Sequence, residues 1–126
     1  MPRKPAKAPL DRLRALCLAL PEAHEVEVWG EPTFRVRNKI FAMYATADTH
    51  HGQGRPAVWC KSTHINQALM IRTEPDRYFA PPYVGPKGWV GVRLDRSPDW
   101  DAVEDLVHTS YRLVAPKRLA TAVRQH

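Results

Sequence analysis

The sequence has no apolar run long enough to cross a lipid bilayer, and its basic N-terminus lacks the apolar stretch of a signal peptide. It has only two cysteines, Cys17 and Cys60, too few for a disulfide framework, so we expect both thiols to be reduced. These absences predict a cytoplasmic protein with no membrane partner. The 126 residues, 44% hydrophobic and 25% charged, suffice for one core in one folded domain.

The motifs of an enzyme are also missing. There is no Gly-x-Ser-x-Gly elbow and no phosphate-binding glycine loop. Ser110 and His108 stand two positions apart on a predicted helix, so they do not share a face. Cys60 and His64 are four apart, but no second ligand pair at tight spacing completes a zinc site. We therefore predict no catalytic residue, no metal and no cofactor.

Positive charge is in excess, with a formal net charge of +6. It is concentrated at both ends of the chain, whereas residues 16–34 contain glutamates but neither lysine nor arginine. This balance favours polyanionic partners, although a solvated surface with two charged tails gives the same pattern. Residues 1–9 are rich in proline and cations, and we predict that they form a flexible basic tail. Residues 10–126 are predicted to form the folded domain.

Hydrophobic periodicity predicts the order of helices and strands. The long C-terminal helix should start at Ser97-Pro98 and bury Trp100, Val103, Val107 and Tyr111. The other predicted helices cover residues 10–20, 66–72 and 116–123, and the predicted strands cover residues 25–29, 33–37, 39–44, 57–61 and 89–94. This order predicts a single α+β domain, an antiparallel sheet of about five strands with helices packed on one face.

The first two strands have a predicted register. If residues 30–32 form the hairpin loop, Val28 lies opposite Phe34 and Glu27 lies opposite Arg35. Glu25 would then lie opposite Arg37, so that opposite charges pair on one face. At the next turn, Asn38 is a residue type that tolerates a positive φ.

Several motifs together resemble the MmcQ/YjbR family over residues 10–123. They are Leu20-Pro21-Glu22-Ala23, Trp29-Gly30, Thr33-Phe34-Arg35-Val36, Lys39-Ile40-Phe41-Ala42, Pro82-Tyr83-Val84-Gly85, Gly88-Trp89-Val90 and Ser110-Tyr111. Arg37-Asn38-Lys39 departs from the family in lacking the glycine often found at this turn. The resemblance implies a frataxin-like α+β fold and a proposed double-wing mode of DNA binding.

Two sets of cations are candidates for nucleic-acid contact. Lys39, Arg55 and Lys87 are predicted in loops, where they could reach phosphates. Lys61 and Arg93 are predicted on one sheet face together with Trp59 and Trp89, and cations interleaved with aromatic rings are typical of a stacking platform. Alternatively, the aromatic segment at residues 75–86 covers this face and makes it a second small core.

The function we expect from these observations is weak, largely sequence-independent DNA binding through loop and tail cations by a non-enzymatic monomer. The alternative is a small-molecule or partner-binding protein. Its pocket would be lined by Tyr83, Trp89 and Trp59, because a cleft of aromatic and proline side chains suits an organic ligand.

Overall fold

The computed structural model describes residues 8–45, 56–95 and 97–123. The elements are α1 (Pro9–Leu18), β1 (Ala23–Val28), β2 (Glu31–Val36), β3 (Lys39–Ala45), β4 (Ala57–Cys60), α2 (His64–Thr73), β5 (Tyr78–Phe79), β6 (Val90–Arg93), α3 (Trp100–Val114) and α4 (Lys117–Ala122). The strands form one antiparallel sheet in the order β1-β2-β3-β4-β6-β5. The predicted α+β class is confirmed. The additional strand is β5, which the proline-rich segment contributes to the edge of the sheet.

The helices pack on one face of the sheet, and α3 lies at the centre of that layer. Val103, Val107 and Tyr111 of α3 are almost fully buried in the main core, as their helical spacing predicts, while Trp100 is partly buried against it. The helix begins two residues later than predicted. Its N-cap is Asp99, whose carboxylate accepts hydrogen bonds from the backbone N–H groups of Asp101 and Ala102, so Ser97 is not the cap.

The predicted register of the first hairpin is wrong by three positions. Val28 lies opposite Glu31 instead of Phe34, because the turn consists of Trp29 and Gly30 alone. Both turn residues have positive φ, 51° and 81°, as a two-residue type I′ turn requires. A register shift by an odd number of residues moves the side chains of one strand to the other face of the sheet. Glu25 consequently lies opposite Phe34 on the helix-facing side of the sheet.

The carboxylates of this region therefore have other partners than predicted. Glu25 accepts a hydrogen bond from Arg14 of α1 at 2.6 Å, and Glu22 accepts one from Arg37 at 2.7 Å. The Glu27–Arg35 and Glu25–Arg37 pairs do not form, since His24 lies opposite Arg35 and Ala23 opposite Val36. The second hairpin follows expectation more closely: Arg37 and Asn38 form a two-residue turn with φ of 50° and 64°.

A buried hydroxyl joins α3 to the centre of the sheet. The register of β2 and β3 shifts between Phe34 and Arg35, which leaves Phe41 as the extra residue of a bulge. Ser110 donates to the Phe41 carbonyl at 2.6 Å and accepts from the Lys61 backbone N–H at 2.8 Å. Its neighbour Tyr111 donates to the carbonyl of Pro21 at 2.6 Å. The Ser-Tyr motif thus connects α3 to β3, to the residue after β4 and to the segment between α1 and β1.

Candidate nucleic-acid interface

The two ends of the sheet differ in charge. At one end of the sheet β3 and β6 begin and β4 finishes, since Cys60 pairs there with Ala42 and with Val90. This end is called the basic end here. The described segments at this end carry four cations, Arg37, Lys39, Lys61 and Lys87, and one acid, Glu22. These segments are residues 20–23, 36–40, 60–66 and 80–90.

The opposite end is acidic. Glu27 and Glu31 flank the first hairpin turn, and further carboxylates precede β5 and follow β6. In the described segments 26–33, 74–78, 92–95 and 97–101 the acids are Glu27, Glu31, Glu74, Asp76, Asp95, Asp99 and Asp101, and the cations are Arg77 and Arg93. Within these described segments of the sheet and its loops, the charges therefore favour a polyanion at one end and disfavour it at the other.

Three of the predicted cations come together at the basic end. Lys39 follows the second hairpin turn and Lys87 precedes β6, and both are exposed. Lys61 follows β4 and is partly exposed, and its backbone is held by Ser110. From β3 to β6 there are two strand spacings, which is about 10 Å. Within the described residues none of the three lysines forms an ion pair.

The other two predicted cations are not part of this group. Arg93 lies opposite Ala57 at the acidic end, and its guanidinium stands 4.5 Å from the centre of the Phe79 ring. Arg55 lies outside the described residues. Lys61 therefore lies at the same end of the sheet as Lys39 and Lys87, and Arg93, with which it was predicted to share a platform, lies at the opposite end.

The aromatic platform is replaced by a second small core. Strand alternation places Trp59 and Ala57 on the face away from the helices, as predicted, but Trp59 is only 2% exposed. Phe79, Val84 and the partly buried Trp89 pack against it. Because a stacking ring must be accessible, Trp59 does not serve as a platform. Tyr83, by contrast, is 71% exposed.

Arg35 is a further cation near this end, although the incorrect register had paired it with Glu27. It lies opposite His24 and Ile40 and is partly exposed. Its guanidinium donates to the side-chain oxygens of Thr33 and Asn38, each at 3.2 Å, and no described carboxylate pairs with it. Recognition of Trp29-Gly30 as a two-residue turn would have removed Glu27 as its partner. Arg37 remains neutralised, by Glu22.

The described part of the chain offers little for a metal site or a nucleophilic cysteine. No group of three metal-binding side chains occurs there. Cys17 and Cys60 are buried, and burial raises the pKa of both thiols, that of Cys60 to about 12. A thiol that stays protonated is neither a nucleophile nor a ready metal ligand. None of the described helices is long and apolar enough to span a membrane.

Comparison with known proteins gives the family. The family model YjbR matches residues 18–113. The chain belongs to the YjbR family. The crystal structure of Deinococcus radiodurans protein DR2400, with a DUF419 family domain, is similar with a TM-score of 0.72 and 21% identity, over 91% of this chain and 84% of that one. This similarity extends the agreement in fold to nearly the whole chain. No curated protein matches the sequence. Neither the family name nor the name of the similar crystal structure states an activity.

Proposed function

We propose that this YjbR-family protein is a non-enzymatic, cytoplasmic nucleic-acid-binding protein whose basic end contacts phosphates. The observation that carries the proposal is the convergence of Lys39, Lys61 and Lys87, which the strand order brings to one end of the sheet and which no carboxylate of the described residues pairs with. Lysine is a flexible point charge that suits phosphate. Arg35 adds a further cation on the neighbouring strand pair.

The proposed binding is weak and largely independent of sequence. Sequence is read by side chains that hydrogen-bond to base edges, usually several on one element. The helix that begins at the basic end, α2, offers few such side chains in its first turns: Ile65 and Leu69 are exposed without hydrogen-bonding groups, His64 and Gln67 bond to the loop before β6, and Asn66 is the exposed amide beside them. Three or four phosphate contacts correspond to non-specific binding, with a dissociation constant of about 10⁻⁴ to 10⁻⁶ M at physiological salt.

The alternative small-molecule pocket at Tyr83, Trp89 and Trp59 is less well supported. It requires the three rings to line one cleft. Trp59 is instead enclosed in the small core with Trp89 against it, while Tyr83 is exposed. We therefore place Tyr83 with the basic end, where the chain between β5 and β6 lies.

Charge-matched double variants test the proposal. K39A/K87A removes two positive charges from the basic end, and R72A/R77A removes two from α2 and the segment after it. Affinities for duplex and single-stranded oligonucleotides would be measured by fluorescence anisotropy at low salt. We expect K39A/K87A to weaken binding to all sequences alike, and R72A/R77A to weaken it far less. Equal losses would show that net charge alone matters, and no binding by the wild type would refute the proposal.

A further inference from the structure

Tyr83 is an exposed aromatic ring at the basic end, presented by a tightly bonded loop. Its side chain is 71% exposed and its φ is +67°, a conformation that costs energy for any residue but glycine. Backbone bonds close the loop on both sides of the ring: the Gly85 N–H donates to the Pro81 carbonyl at 2.9 Å, and the Trp89 N–H donates to the Val84 carbonyl at 3.3 Å. These bonds therefore fix the backbone from which the exposed ring projects.

The same loop is fastened to the start of α2. The Gln67 side chain donates to the carbonyls of Gly85, at 2.8 Å, and of Trp89, and a ring nitrogen of His64 lies 2.8 Å from the Pro86 carbonyl. Gly88 packs so closely on this helix start that an added Cβ would stand 3.2 Å from the His64 nitrogen. A ligand that contacts Tyr83 thus meets a preorganised surface and loses little affinity to ordering.

We propose that Tyr83 stacks on an unpaired base and that the preferred ligand is single-stranded nucleic acid. This inference rests on the proposed function, since Lys87, in the same loop, and Lys61 would hold the neighbouring phosphates. Stacking on a protein ring needs an open base face, which single strands offer and the interior of a duplex does not. It needs no particular base, in keeping with sequence-independent binding.

The chain offers a matched control in Trp29. This side chain is 83% exposed, has a φ of +51° and belongs to a tight turn, as Tyr83 does. It lies at the acidic end between Glu27 and Glu31, where phosphates are disfavoured. Indole is at least as good a stacking surface as phenol, so any difference between the two positions reflects location and charge.

The test compares three ligands at low salt by fluorescence anisotropy: a 12-nucleotide oligo(dT), an abasic strand of the same length and a 12-base-pair duplex. We expect the wild type to bind oligo(dT) about 5- to 140-fold more tightly than the abasic strand, which corresponds to roughly 1–3 kcal/mol for one stacked base. Y83A should bind oligo(dT) no better than the abasic strand and leave abasic and duplex binding unchanged. W29A should behave as the wild type, and Y83F, which keeps the aromatic ring, should restore the preference for oligo(dT) over the abasic strand that Y83A loses.

The outcomes separate this inference from the proposed function. Equal wild-type affinity for oligo(dT) and the abasic strand, or oligo(dT) binding that survives Y83A, overturns base stacking and leaves phosphate binding intact. Absence of binding to all three ligands overturns both. Circular dichroism of each variant establishes that it is folded, which we expect because both side chains are largely solvent-exposed.

Discussion

Replacement of Ser110 by alanine should destabilise the fold more than any loss of an exposed hydroxyl. Ser110 is fully buried and supplies the partner for the Phe41 carbonyl and the Lys61 N–H, which lie just beyond Ala42–Cys60, the last residue pair between β3 and β4. A buried polar group left without a partner costs about 1–3 kcal/mol. The Lys61 N–H is only partly buried, so we expect a combined loss of about 2–4 kcal/mol.

The loss is measurable by thermal and chemical denaturation. For a chain of this length the entropy of unfolding is roughly 0.26 kcal/mol/K, so the melting temperature should fall by about 8–15 °C. Thr121→Ala is the control, because it removes an exposed hydroxyl that donates to the Lys117 carbonyl at 2.6 Å. That change should cost about 0.5 kcal/mol or less. If S110A is as mild as the control, Ser110 does not hold the strands and its structural role is refuted.

Three further predictions concern the core, the first turn and the thiols. Val107→Ala should cost about 1–3 kcal/mol in denaturant unfolding, and a loss within experimental error would mean that this helix face is exposed. Trp29→Asn should raise stability by about 1 kcal/mol or less, because Asn-Gly is preferred in type I′ turns; a decrease would contradict the two-residue turn. The pKa of Cys60 is raised by burial from 9.0 to about 12, so stability should decline as the pH rises above 9. Both thiols should react with an alkylating reagent at pH 8 only after denaturation, and rapid labelling of the native protein would show that they are accessible.

Periodicity identified the parts of the fold that one element determines by itself. The buried face of α3 follows from the 3.6-residue spacing of Val103, Val107 and Tyr111, and the opposite faces of Val58 and Trp59 follow from strand alternation. The predicted hairpin register was wrong because Pro32 suggested that residues 30–32 form the loop, whereas Pro32 is the second residue of β2. The two-residue turn at Trp29-Gly30 requires a positive φ at both residues. Tryptophan rarely adopts a positive φ, so the sequence did not suggest a turn there.

The candidate interface was predictable residue by residue but not as a surface. Lys39, Lys61 and Lys87 each stood out as a cation beside a turn or strand end. Their convergence depends on the strand order β3-β4-β6, which no local pattern encodes. The same order separates Arg93 from them.

The most direct test of phosphate binding at the basic end is the salt dependence of duplex DNA binding by the wild type and by K39A/K61A/K87A. Each phosphate neutralised contributes about 0.9 to the slope of log K against log salt. We expect wild-type affinity to fall steeply with salt, and the slope of the triple variant to be shallower by about 2.7, or three contacts. An affinity indifferent to salt, or an unchanged slope in a folded triple variant, would contradict phosphate recognition by these three lysines.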